Sequence, residues 1–198
     1  MATLSTARLL ESSAHLLVRH CRHADVGDRL TGRGEDGGLT QVGQVEAAAL
    51  ADQLAVEPVT AVYASPRRRT RETAAAIADR HGLTVRVVDA LDEVDFAAWT
   101  GQRFGDLDGQ PAWDQWNRER ATARVPGGES MSEALERARA FIETVPAHGT
   151  VVFVTHCDII RALLCWRDGR SLNQIFDYDV PPASVTPLRL RALAEVAA

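Results

Sequence analysis

The chain has little of several things, and each shortage removes a class of function. It has no uncharged apolar segment long enough to span a bilayer: its most apolar late stretch, IIRALLCW, is short and carries Arg161. The opening residues, MATLSTARLLESSAH, lack the long apolar run of a secretory signal. Excess positive charge is missing too. Lys and Arg number 22 against 27 Asp and Glu, a formal net charge of −5, so no clustered cationic field invites nucleic acid or an anionic membrane. Cysteine is confined to Cys21, Cys157 and Cys165, an odd count without scaffold spacing, which points to reduced thiols in the cytoplasm. No repeat or low-complexity tract divides the 198 residues, and a 45% hydrophobic content supplies the core of one soluble domain over residues 1–198.

What the sequence does have is an alternation of two patterns. Residues 14–20 (AHLLVRH), 59–64 (VTAVYA) and 150–156 (TVVFVTH) are short continuous apolar runs, as in strands buried on both faces. Helical patterns follow them. Residues 40–56 place Val42, Val45, Ala49 and Leu50 at helical spacing behind a Thr40 cap. Residues 66–82 read as a helix capped by Ser65, opened by Pro66 and stopped at Gly82. Residues 130–145 begin with the capping box Ser130 and Glu133, and 157–166 follow the last strong strand directly. Strands alternating with helices predict an α/β fold, a three-layer α/β/α sandwich around a mostly parallel sheet. IFDYDV and TPLRLRAL read as two more strands near a sheet edge, where prolines are tolerated. Residues 24–39 are a long Gly-rich loop, and residues 89–129, with Trp99, Trp113 and Trp116, a helical excursion over one end of the sheet.

Ligands of open α/β sheets bind at the carboxyl ends of the strands. Here those ends read VRH, YAS and THC, so His20 and His156 arrive at one edge independently. The helix after YAS opens SPRRRTR; Arg67, Arg68, Arg69 and Arg71 oppose the helix dipole there unless an anion or carboxylates offset them, and while any one of them reads as part of a solvated cationic face, the four together with Arg19 suit the oxygens of a phosphate. In ALDEVDFAAWTG, Glu93 sits among Leu91, Val94, Phe96 and Trp99; a carboxyl held against apolar surface has its protonated form favoured, which suits a general acid, although the local sequence by itself favours a surface Glu on a turn. A neutral imidazole can attack phosphorus, guanidiniums can take the phosphoryl charge, and no G-x-S-x-G elbow competes. The parts suit phosphomonoester hydrolysis without a metal or other cofactor. A rival metal site from His20, Cys21, His23, His156, Cys157 and Asp158 lacks the spacing of structural zinc, and neighbours at a strand end point opposite ways.

VRH, SPRRRTRETA, LDEVDFAAWTG and VTHCDIIRALL, in this order, resemble the histidine phosphatase superfamily, the phosphoglycerate mutase-like group. The similarity extends over most of residues 14–190 and includes WDQWN, PGGESM and PPASV. The resemblance implies that His20 is the phosphorylated nucleophile, that Arg19, Arg69 and His156 hold the phosphoryl group, and that Glu93 is the proton donor. Arg69 is chosen among its neighbours because the family's arginine stands four residues after the serine, here Ser65. Arg22, His23 and Cys157 flank the two histidines and are expected on the substrate side. Departures are Cys21 and Cys157 where the family often has glycine, Arg22 and His23 for an acidic residue and threonine, and Ala97 and Thr100 within the usual GxWEG wording. The expected activity is hydrolysis of a small phosphorylated metabolite through a phosphohistidine, with specificity set by residues 22–39 and 95–125. Phosphoglycerate mutase-type transfer and a non-catalytic phosphate-ligand binding protein are the alternatives. The sequence leaves oligomeric state open, a homo-oligomer included.

Overall fold

The computed structural model describes residues 14–188 apart from 36 and 147; the amino-terminal segment and residues 189–193 of the second edge-strand reading lie outside the described residues. The elements run β1 (Ala14–Arg19), α1 (Gln41–Leu54), β2 (Val59–Ala64), α2 (Arg68–Arg80), β3 (Val85–Val87), α3 (Phe104–Leu107), α4 (Pro111–Arg118), α5 (Met131–Thr144), β4 (Thr150–Thr155), α6 (Cys157–Arg167) and β5 (Val185–Leu188). The sheet order is β3-β2-β4-β1-β5. β1 and β2 pair parallel with β4, β3 pairs parallel with β2, and β5 alone is antiparallel. Pro187 lies in β5, an edge strand, where its missing N–H is tolerated.

Alternation along the strands divides the core. Leu17, Val151 and Phe153 pack with Met131, Ala138, Ile142 and Ile159 of α5 and α6. Leu16, Val18, Val152 and Val154 face the other way, onto Ala47, Leu50, Ala74 and Ile77 of α1 and α2. Each such buried side chain contributes roughly 1.5–3 kcal/mol, so both faces must be covered and the sandwich follows. The aromatic excursion joins the first cluster: Trp99 and Trp113 meet edge-to-face at 5.4 Å, with Trp116 and Phe96 beside them.

Three sequence expectations change. In α1 the buried residues are Gly43, Ala47, Leu50, Ala51 and Leu54, while Val42 and Val45 are 59% and 67% exposed. The small residues win because α1 packs on the backbone of residue 22; a methyl group at Gly43 would overlap the Arg22 carbonyl oxygen. α2 begins at Arg68, not Pro66, with Arg67 rather than Ser65 in the N-cap position; the Ser65 hydroxyl accepts Arg67 N–H at 3.3 Å and also bonds outside the helix. IFDYDV is not a strand. Ser171 and Gln174 form a capping box that starts a 3-10 turn over Leu172–Asp177, and only Val185–Leu188 reaches the sheet edge. The Val85–Val87 strand was not anticipated.

Gly43→Ala gains about 1 kcal/mol of helix propensity but forces a helix away from fixed backbone, an overpacking cost of about 1–3 kcal/mol. We expect a lower Tm for Gly43→Ala and, for the exposed Val42→Ala, a change within about 0.5 kcal/mol by denaturant unfolding. Equal losses would mean that the buried face of α1 is misassigned.

Candidate active site

The ends of β1, β2 and β4 are locked together one residue beyond the strands. His20 N–H donates to Thr155 O at 3.1 Å, and Ser65 N–H donates to Val154 O at 3.1 Å. This fixes the backbone from which His20, Ser65 and His156 project. A cavity of about 520 Å³ opens above, with Arg19, His20, His23, Arg69 and Glu93 in its wall. That volume exceeds what a phosphoryl group needs and falls within the range of small-molecule sites.

Hydrogen bonds set the imidazole tautomers. His20 Nδ1 is 2.9 Å from Cys21 O. A carbonyl only accepts, so Nδ1 carries the proton and Nε2 keeps its lone pair. His156 has Nδ1 3.1 Å from Arg69 Nη2 and Nε2 2.7 Å from Ser65 Oγ. Guanidinium only donates, so Nδ1 accepts here and Nε2–H donates to Ser65. The serine that sequence alone cast as a helix cap is therefore a support for His156. The His20 ring centroid lies 5.4 Å from that of His156 and 5.1 Å from that of His23. Burial, then the Arg69 charge, holds both His20 and His156 well below the ordinary 6.5, so neither carries charge at neutral pH. The approaches of His156 to Asp92 and Glu93, each 3.8 Å, are accordingly not ion pairs.

Arg69 is 1% exposed and donates to Gly32 O at 2.8 Å, which ties α2 to the Gly-rich loop. Arg19 donates from Nη1 to Val180 O at 2.6 Å. Glu93 sits on a turn whose preceding residue, Asp92, accepts its N–H at 2.8 Å, and its own Oε1 accepts from Val94 N at 3.0 Å. Thr155 Oγ1 donates to Leu91 O at 2.6 Å, so the end of β4 holds this turn beside His156. Burial, reinforced by the Asp158 charge and opposed by Arg69 and Arg137, raises the Glu93 carboxyl from 4.5 to about 7.

The structure thus brings Arg19, His20, His23, Arg69, Glu93 and Cys157 to the cavity. His156 is fully buried just beneath it. Arg22 is not brought in: it lies past the end of β1, and its backbone N–H and Nε both donate to the Glu46 carboxylate on α1, at 2.9 and 2.8 Å. Of the four α2-end arginines only Arg69 enters; Arg67 pairs with Asp92 at 3.1 Å and Arg68 with Glu72 at 2.6 Å, while Arg71 is exposed. Cys21 is not on the pocket floor but in the α1/α2 core, and burial pushes both it and Cys157 up to about 11, leaving unreactive thiols at neutral pH. Among the described residues no group of three or more His, Cys, Asp or Glu is placed to hold a metal ion. The sequence reading weighed Asp158 only as a metal ligand and missed Arg161 and Phe176 in the wall, because these residues converge from α6 and the turn after it rather than from residues 22–39 or 95–125. The buried Arg120, 2.9 Å from Asp158, was also missed; only its place in a WDQWNRER segment rich in polar residues hinted at it.

With this geometry in place, likeness to known proteins becomes informative. The sequence matches the histidine phosphatase superfamily (branch 1) over residues 15–194. The chain belongs to that superfamily. It is 29% identical over 177 residues to phosphoserine phosphatase 1 of Hydrogenobacter thermophilus, covering 85% of this chain and 84% of that one. It is also 29% identical over 182 residues to a Yersinia enterocolitica protein named probable phosphoglycerate mutase GpmB, covering 88% and 79%. The mycobacterial glucosyl-3-phosphoglycerate phosphatase Rv2419c shares the fold with a TM-score of 0.77 at 26% identity, over 88% of this chain and 89% of that one. Membership with phosphatase-named relatives supports a phosphatase. Among the described residues no helix is long and apolar enough to cross a membrane.

The raised Glu93 carboxyl has two measurable consequences. Its protonated form is lost as pH rises through about 7, so turnover of esters with poor leaving groups should fall above that pH, and Glu93→Gln should lose this limb. For stability, a carboxyl raised on folding contributes below its unfolded value and loses that contribution as pH rises through about 7. Glu93→Gln should therefore gain in Tm over the wild type more at pH 8 than at pH 5. A gain independent of pH would contradict a protonated Glu93.

Proposed function

We propose that the protein hydrolyses a small phosphorylated metabolite in two steps through a phosphohistidine on His20, without a metal. The observation that carries this reading is the opposite tuning of neighbours: imidazoles kept neutral beside a carboxyl kept protonated, under two guanidiniums. In the first step His20 Nε2 attacks phosphorus, the P–O bond to the alcohol breaks, and Glu93 gives its proton to the departing oxygen. Arg19 and Arg69 take the equatorial oxygens, the kind of preorganised charge stabilisation worth roughly a hundredfold to a thousandfold per donor. His156 joins them when Ser65 donates to Nε2 instead, since that tautomer presents Nδ1–H to a phosphoryl oxygen. In the second step the Glu93 carboxylate takes a proton from water, the water oxygen attacks phosphorus, the P–N bond breaks, and phosphate leaves with both residues restored.

Mutase-type transfer shares the first step and differs in the acceptor, an alcohol in place of water. His23 and Cys157, which line the same cavity as His20, are the proposed contacts for the leaving alcohol. Phosphoserine and glucosyl-3-phosphoglycerate, named for relatives, are the first metabolites to assay.

The test is release of nitrophenol from para-nitrophenyl phosphate in excess chelator. We expect hydrolysis by the wild type and a loss of at least about a thousandfold in His20→Ala. Hydrolysis that stops with chelator, or that survives in His20→Ala, would overturn the reading; isomerisation of 3-phosphoglycerate with its bisphosphate would assign the mutase alternative.

A further inference from the structure

The Glu93 turn is held by an arginine that belongs to the Gly-rich loop rather than to its own neighbourhood. Arg33 Nε donates to Glu93 O at 2.8 Å. The same guanidinium meets Glu129 through Nη2 at 2.8 Å and approaches Asp92 and Asp95 at 3.7 and 3.8 Å. Arg137 of α5 donates to the same Glu93 carbonyl at 2.9 Å and to Ala90 O at 2.8 Å, and pairs with Glu129 at 3.0 Å. Glu129 closes the lattice by accepting Asp95 N–H at 3.1 Å.

The two arginines differ in what lies behind them. Arg137 rides on a helix. Arg33 rides on a loop that forms one wall of the cavity through Leu30, Thr31 and Gly32. That loop is gripped from the phosphate side: Arg69 donates to Gly32 O at 2.8 Å and Arg67 to Arg33 O at 2.6 Å. Residues 32 and 33 therefore connect the guanidinium expected at the phosphoryl group to the backbone of the acid. A planar fork with five donors in fixed directions can hold a carbonyl and carboxylates spread over several ångströms, whereas an ammonium concentrates three donors at one point. The carboxyl of a general acid must sit within hydrogen-bond reach of its oxygen, so its backbone anchor matters directly.

From this arrangement we infer that Arg33 is a positioning residue for Glu93, setting the place of the acid from the substrate loop. The inference rests on the phosphatase reading above and touches only proton delivery. Arg33 does not contact the reacting atoms, so its loss acts where the leaving group needs a proton.

The experiment compares Arg33→Gln, Glu93→Gln and the double variant on an alkyl phosphate and on para-nitrophenyl phosphate. We expect Arg33→Gln to lower kcat on the alkyl ester by about tenfold and on the nitrophenyl ester by less than about threefold, because only the former demands an acid. KM and inhibition by inorganic phosphate should hold, and in the Glu93→Gln background Arg33→Gln should have no further effect. Arg33→Lys, which keeps the charge at Glu129, should fall between wild type and Arg33→Gln and serves where the latter folds poorly. Equal losses on both esters, effects that multiply with Glu93→Gln, or a raised KM would overturn the inference. If Glu93→Gln itself fails to discriminate the esters, it is the acid assignment that falls; if it discriminates and neither Arg33 variant does, only the role of Arg33 falls.

Discussion

Two imidazoles 5.4 Å apart beside a buried guanidinium are stable only if both are neutral. The remainder of the site follows from that constraint. Neutrality leaves His20 a lone pair on Nε2, the property a nucleophile towards phosphorus requires. It also leaves positive charge to Arg19 and Arg69, so the pocket suits a dianion while the proposed nucleophile stays neutral. The same burial that discharges the histidines raises the Glu93 carboxyl to about 7, so its protonated form persists up to neutral pH. A single physical cause, removal of water from the strand ends, thus prepares the proposed nucleophile and the proposed acid together.

The fold supplies that environment because three parallel strands end side by side. Hydrogen bonding continues one residue past β1 and β2 into the end of β4, so the functional side chains leave from backbone that is still part of the sheet. Ser65 and Thr155 then extend the control outward, one to His156 and the other to the turn before Glu93. Rigid strand ends with side-chain props place groups more reproducibly than a free loop would, and the loop-borne parts, Gly32 and Arg33, are themselves held by arginines of α2 and its entry.

Much of this was legible in the sequence, for reasons that can be named. Strands buried on both faces appear as unbroken apolar runs, so β1, β2 and β4 were readable directly, together with the histidine-bearing ends of β1 and β4. The Thr40 cap and the Ser130 capping box found their helices because cap chemistry is local. The face of α1 was misread because Val42 and Val45 outrank Gly43 and Ala47 in hydropathy, whereas close approach to the Arg22 backbone demands small residues. Ser65 was misread because a serine before Pro66 satisfies the local cap pattern, and nothing local reveals a bond to a residue 91 positions away. Arg22 differs again: the nearby His20 and His23 face the cavity, but Glu46 on α1 gives Arg22 a partner away from it. The outer wall from Asp158, Arg161 and Phe176, and the grip of Arg33 on Glu93, arise from tertiary convergence that no window of sequence contains.

The central claim is that His20 carries the phosphoryl group between the two steps. The direct measurement is rapid quenching of the enzyme during turnover into alkali, where a phosphohistidine survives, followed by peptide mass spectrometry. The account predicts one phosphate on the peptide containing His20, absent in His20→Ala and accumulating further when Glu93→Gln slows water attack on a substrate with a good leaving group. Phosphate on another residue, or turnover with His20 unmodified at every quench time, would contradict it.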